Sequence, residues 1–161
     1  MDELALLLKL GHVILAIAMV AGLLGRWVLL TRGSRTDDVE RAHLLAEAAS
    51  PFERIVQSAS PLVVVVGMLT AWAQGYPWLG LTTGWMLLTV LLIIPILVAI
   101  PTVFLPRGRR FEAEMAAARD AGEVTPGLRA AWADPAVAAA RRYELATIVI
   151  IVALMVLKPT L

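Results

Sequence analysis

Apolar residues fall into four blocks along the chain, separated by polar stretches of unequal length. The first block covers about 4–30 and is broken only by Lys9, His12 and Arg26, the length a tilted helix needs to cross hydrocarbon. A polar segment at about 31–50 follows, with Val39, Ala42, Leu45 and Ala46 spaced for an amphipathic helix lying at an interface. The second block, about 51–74, opens on Ser50-Pro51-Phe52-Glu53, which reads as an N-cap, a first-turn proline and a capping-box acid. Pro61 inside this block frees the carbonyl of Gln57 and predicts a kink.

After the uncharged turn Gly75-Tyr76-Pro77-Trp78, the third block covers about 79–105 and carries Pro95 and Pro101, which neighbouring groups can accommodate within a bilayer. The chain is then polar over about 106–137, with a helical run from Arg109 to Ala121 ended by Gly122 and new helix starts at Thr125-Pro126 and Asp134-Pro135. The last block, about 138–158, has an apolar part from Leu145 to Leu157 that is short for a crossing, so Arg141, Arg142, Tyr143 and Lys158 are read as its ends. The pattern predicts an all-α chain: one membrane domain over 1–161, a four-transmembrane-helix bundle with short amphipathic cytoplasmic helices.

Composition supports that picture. Sixty per cent of the residues are hydrophobic and 17% charged, with a mean hydropathy of +0.80, which removes the chain from ordinary soluble domains and makes the lipid bilayer its first partner. No Asp, Glu, Lys, Arg or His occurs between Arg54 and Arg107, room for two crossings and a turn. The net charge of +1 implies no nucleic-acid partner. The absence of cysteine excludes disulfides, thiolate catalysis and cysteine-ligated metals within the chain. An acidic start, Met1-Asp2-Glu3, fits a retained first span better than a cleaved signal.

Arginines concentrate in the first and third connections, whereas the second has none and is flanked by Trp72, Tyr76, Trp78 and Trp85. The positive-inside rule and the aromatic belt then agree on cytoplasmic basic loops and non-cytoplasmic termini.

Four constellations are candidates for chemistry or contact. Gly11, Ala18, Gly22 and Gly25 lie in one narrow arc of the first helix, a packing face or, alternatively, a slot for a flat cofactor. His12 is the sole histidine within a block, with Lys9 one turn away; an imidazole in a membrane can carry protons or ligate haem, and it can equally hydrogen-bond between helices. Arg26, Glu53, Arg54, Arg142 and Glu144 share one depth, which predicts a charge cluster with Glu144 paired to Arg26 or Arg54. Gln57, Ser58, Ser60, Thr70, Thr89 and Thr102 are the polar positions that a small cavity would use, and interhelical hydrogen bonding explains them equally well. Nucleotide loops, zinc-protease helices, nucleophile elbows and EF-hand loops are absent.

Lys9-Leu10-Gly11-His12, Phe104-Leu105-Pro106-Arg107, Asp134-Pro135 and Leu154-Met155-Val156-Leu157-Lys158-Pro159 resemble small bacterial integral membrane proteins grouped as a domain-of-unknown-function family (family 2269). The resemblance covers nearly the whole chain and implies a four-helix plasma-membrane protein with no assigned reaction. A more distant similarity, resting on His12, is to copper-resistance and protoporphyrinogen-oxidase-like membrane proteins; the extra histidines and methionine-rich segments suited to copper are missing. The sequence therefore points to a non-enzymatic structural or accessory bundle, self-associating as a homo-oligomer or part of a membrane complex, with no catalytic or metal residues assigned. The alternatives are a haem-binding redox protein using His12 and Lys9, and an oligomeric transporter or channel.

Overall fold

The computed structural model describes residues 2–160. Its elements are α1 (Asp2–Gly33), α2 (Val39–Ala73), a 3-10 turn (Pro77–Gly80), α3 (Gly84–Ala99), a π-helical turn (Ile100–Phe104), α4 (Leu105–Ala121), α5 (Pro126–Trp132) and α6 (Pro135–Leu157). No strand occurs among the described residues, and the chain is all-α.

α1 has 32 residues and α2 has 35, so at 1.5 Å per residue they reach roughly 48 and 52 Å, well past the ~30 Å of a hydrocarbon core. The surplus forms a polar head at the arginine-rich end. This differs from the expected interfacial helix and the expected helix start at Ser50-Pro51. α2 begins at Val39, where the Asp38 carboxylate accepts from the backbone N–H groups of Glu40 and Arg41, and it runs through Pro51 without a break. Pro51 removes only one backbone bond. Against that loss, Val39 and Ala42 are buried with Met115, Ala118 and Leu128, bordered by Ala46, Phe111, Val124 and Trp132. The apolar stripe that suggested an interfacial helix is thus covered by α4 and α5 rather than by lipid.

The third helix likewise does not stop where its apolar block ends, at Phe104-Leu105-Pro106-Arg107. Gly84 to Ala121 is one continuous helical path, in which Leu105 N–H bonds the carbonyl of Ile100, five residues back. Pro101 and Pro106 each lack an N–H, and the wider π turn absorbs the missing donors without stopping the helix. Three other predicted boundaries hold. Gly122 takes a left-handed φ of 72°, with Gly122 N–H on Arg119 and Glu123 N–H on Ala118, the paired carbonyl capture of a Schellman ending. Thr125 and Asp134 cap α5 and α6 through their side chains.

The helices run alternately up and down. α1 packs along α2, and α3 along α6. Met19, Leu23, Val56, Ala59, Val63, Ile93, Ile96 and Ile148 fill the space between the two pairs. The outward faces remain apolar: Leu6, Leu7, Ile17, Val149 and Val156 are all more than 60% exposed, which suits lipid and not water. Glu3–Gly33, Val39–Ala73 and Gly84–Ala121 are long and apolar enough to cross a membrane. α6 does not meet the same measure, because Arg141, Arg142 and Glu144 crowd its first half. Its far end nevertheless reaches the start of α3, where the Lys158 ammonium lies 5.8 Å from the centre of the Trp85 ring.

Candidate functional site

The arginine-rich end of the bundle holds a buried charge network. Arg26, near the end of α1, is 3% exposed. Its Nη1 donates to Glu53 Oε2 of α2 at 3.0 Å, and its Nη2 to Glu144 Oε2 of α6 at 2.6 Å. The Phe104 ring lies 5.1 Å from the guanidinium carbon, so the π turn adds a cation–π face to the same group. Gln57 Nε2 donates to Glu53 Oε1 at 3.3 Å, one turn along α2. Charge removed from water demands paired partners, and one guanidinium here joins three helices and the π turn.

Of the residues expected at this depth, Arg26, Glu53 and Glu144 come together, whereas Arg54 and Arg142 are exposed. Arg141 takes the inner place instead: with Arg26, Trp27, Glu144, Leu23 and Leu145 it lines a crevice between α1 and α6. Helical spacing carries the signal for it, since Arg141 lies three residues before Glu144 and on its face, while Arg142 lies two before and points away. A second, almost wholly apolar crevice is lined by Glu144 together with Met19, Leu23, Ser60, Ile93, Ile96 and Ile148.

His12 sits nearer the tryptophan-rich end. Its Nδ1 lies 2.9 Å from the carbonyl oxygen of Val63; a carbonyl can only accept, so this nitrogen carries the proton. The ring is pressed against Gly67, where an added Cβ would stand 2.8 Å from Cε1 and 3.1 Å from Nδ1. Gly67 was not among the expected residues, yet it is the single glycine within the second apolar block, the kind of position where a neighbouring helix approaches closely. Lys9 is exposed. No group of three or more His, Cys, Asp or Glu that could hold a metal occurs among the described residues.

The small-residue arc of α1 is occupied within the chain. A Cβ on Gly22 would meet Val56 at 2.9 Å and the Phe52 carbonyl at 3.1 Å; one on Gly25 would meet the Phe52 ring at 2.6 Å. Gly11 faces Val66 at ordinary van der Waals distance, and Ala18 falls on the same arc by helical period. The face that could have joined two copies therefore seats α2. The hydroxyls are also engaged: Ser58, Ser60, Thr70, Thr89 and Thr102 each donate to the carbonyl four residues back in their own helix, which leaves them no donor for a solute.

The family model described as "Predicted integral membrane protein (DUF2269)" matches residues 6–159. Neither the curated proteins nor the solved structures contain a match to this chain.

Proposed function

Because the chain belongs to DUF2269, a family of predicted integral membrane proteins, we propose that it is a four-pass, non-enzymatic structural or accessory protein of a bacterial plasma membrane. In this reading its termini face outward and its helical head faces the cytoplasm. The observation that carries the non-enzymatic part is the setting of His12. The histidine best placed for proton or haem chemistry has Nδ1 on the Val63 carbonyl and its ring edge against Gly67, the geometry of a helix–helix fastener. Four crossings are supported by α6, whose 23 residues amount to about 34 Å and whose end lies beside Trp85.

Absorption spectroscopy after gentle detergent purification tests the chemical half: the expected spectrum has no Soret band, and a band abolished by His12→Ala would overturn the reading. Because the chain contains no cysteine, single cysteines at Thr82, Glu123 and Thr160 can report sidedness. A membrane-impermeant thiol reagent applied to intact cells should label the first and last but not Glu123→Cys. Labelling of Glu123→Cys, or protection of Thr160→Cys alone, would refute the topology.

A further inference from the structure

The crevice between α1 and α6 holds one arginine that no carboxylate of the described residues meets. Arg107 pairs with Asp134, Arg119 with Glu40, and Arg129 with Asp37; Arg141 has no carboxylate within ion-pair distance among the described residues. Its Nε is buried without an acceptor, and so is the Nε of Arg26, whose side chain is almost wholly inaccessible. Both arginines line the same crevice. Its one lining carboxylate, Glu144, is bonded to Arg26, as is Glu53, so both nearby acids are held by Arg26 and Arg141 bonds neither.

Buried donors without acceptors are unfavourable, and guanidinium forks match the oxygens of phosphate as they do those of carboxylate. The rest of the lining is Leu23, Leu145 and Trp27. Trp27 is half exposed on the outer surface beside exposed Leu24 and Val28, where lipid lies and where indoles mark the headgroup level. A site with a cationic end and apolar walls opening toward lipid fits an amphiphile better than a free ion.

We propose that this crevice is a binding site for the phosphate of an anionic phospholipid, held by Arg141 with Arg26 behind it and with its acyl chains against Trp27 and Leu145. Lipid extracted from the protein purified in mild detergent, compared with the parent membrane, tests this. Anionic over zwitterionic phospholipid should be enriched about fivefold, the attraction of roughly one arginine for an anionic headgroup. Arg141→Gln should abolish the enrichment, and Arg142→Gln, which removes the same charge from an exposed neighbour, should keep it. Leu145→Trp fills the crevice without altering either arginine and should also abolish it. Equal enrichment in Arg141→Gln and the parent, or equal loss in Arg142→Gln, would overturn the site. Added to delipidated protein, short-chain phosphatidylglycerol should raise the thermal midpoint and inorganic phosphate should not; an equal rise with inorganic phosphate would assign the crevice to a free anion and sink the lipid proposal.

Discussion

The Arg26 guanidinium and the Glu144 carboxylate meet at 2.6 Å across a sequence separation of 118 residues, both nearly inaccessible. Glu53 completes the arrangement at 3.0 Å, so α1, α2 and α6 are fastened at one level. Removing one partner from a buried pair leaves the other uncompensated, a loss of about 3–5 kcal/mol. Glu144→Ala leaves Arg26 its partly exposed partner Glu53, so the expected cost is toward the low end of that range, about 3 kcal/mol, measured by thermal unfolding in detergent. The double replacement Arg26→Met with Glu144→Leu should recover most of it, because neither charge then remains buried, and Glu53 is partly exposed. A double variant as unstable as Glu144→Ala would contradict this account.

Gly67 and His12 form a tight steric pair. A methyl group at Gly67 would press on the ring at 2.8 Å, and overpacking of this kind costs about 1–3 kcal/mol. Gly67→Ala is expected to destabilise by that amount in the presence of His12 and by much less in a His12→Ala background. The double-mutant cycle measures the coupling directly, and additive losses would show that the ring does not occupy this place.

Gly22→Leu should disrupt the α1–α2 hairpin itself, since the new side chain would collide with Val56 and the Phe52 carbonyl. The expected outcome is a loss of folded protein and of protease resistance at every concentration. A variant that keeps its fold and only lowers oligomer mass would return this face to contact between copies.

Asp134 couples the start of α6 to α4. Its carboxylate accepts from the N–H groups of Ala136 and Val137 and pairs with Arg107 at 3.2 Å. The Val137 N–H above all holds its pKa below the usual carboxylate value, with Ala136 and Arg107 acting the same way and desolvation opposing them. A carboxyl whose folded pKa is lowered adds stability above its unfolded value, near 3.9, and loses it as pH falls through the folded value. Between about pH 7 and pH 3, the parent protein should therefore lose more of its thermal midpoint than Asp134→Asn. Parallel profiles would remove Asp134 from the acid response. At neutral pH, Asp134→Ala should cost about 1 kcal/mol, the usual worth of an N-cap.

The helical class, the lipid-facing composition, the Schellman ending at Gly122 and the caps at Thr125 and Asp134 were legible along the chain, because each depends on residues within a turn or two of itself. The depth shared by Arg26, Glu53 and Glu144 was legible too, since helical rise converts position into height. The i,i+3 relation of Arg141 to Glu144 is also present in the sequence, but which neighbouring arginine turns inward depends on the packing of α6 against α1.

Sequence alone determined where apolar stretches begin and end and which ends carry arginine, since transfer from water to lipid is set by composition over a span. Tertiary structure decided what each face met. Pro51 and Pro106 marked local breaks, yet the helices pass through both, because Val39, Ala42, Met115 and Leu128 bury one another only if α2 and α4 continue into the head. Likewise Gly67 alone does not say which ring it receives, and a stripe of small residues does not say whether its partner is the same chain or another. Such contacts depend on pairs of residues far apart in sequence, and only packing in three dimensions selects among them.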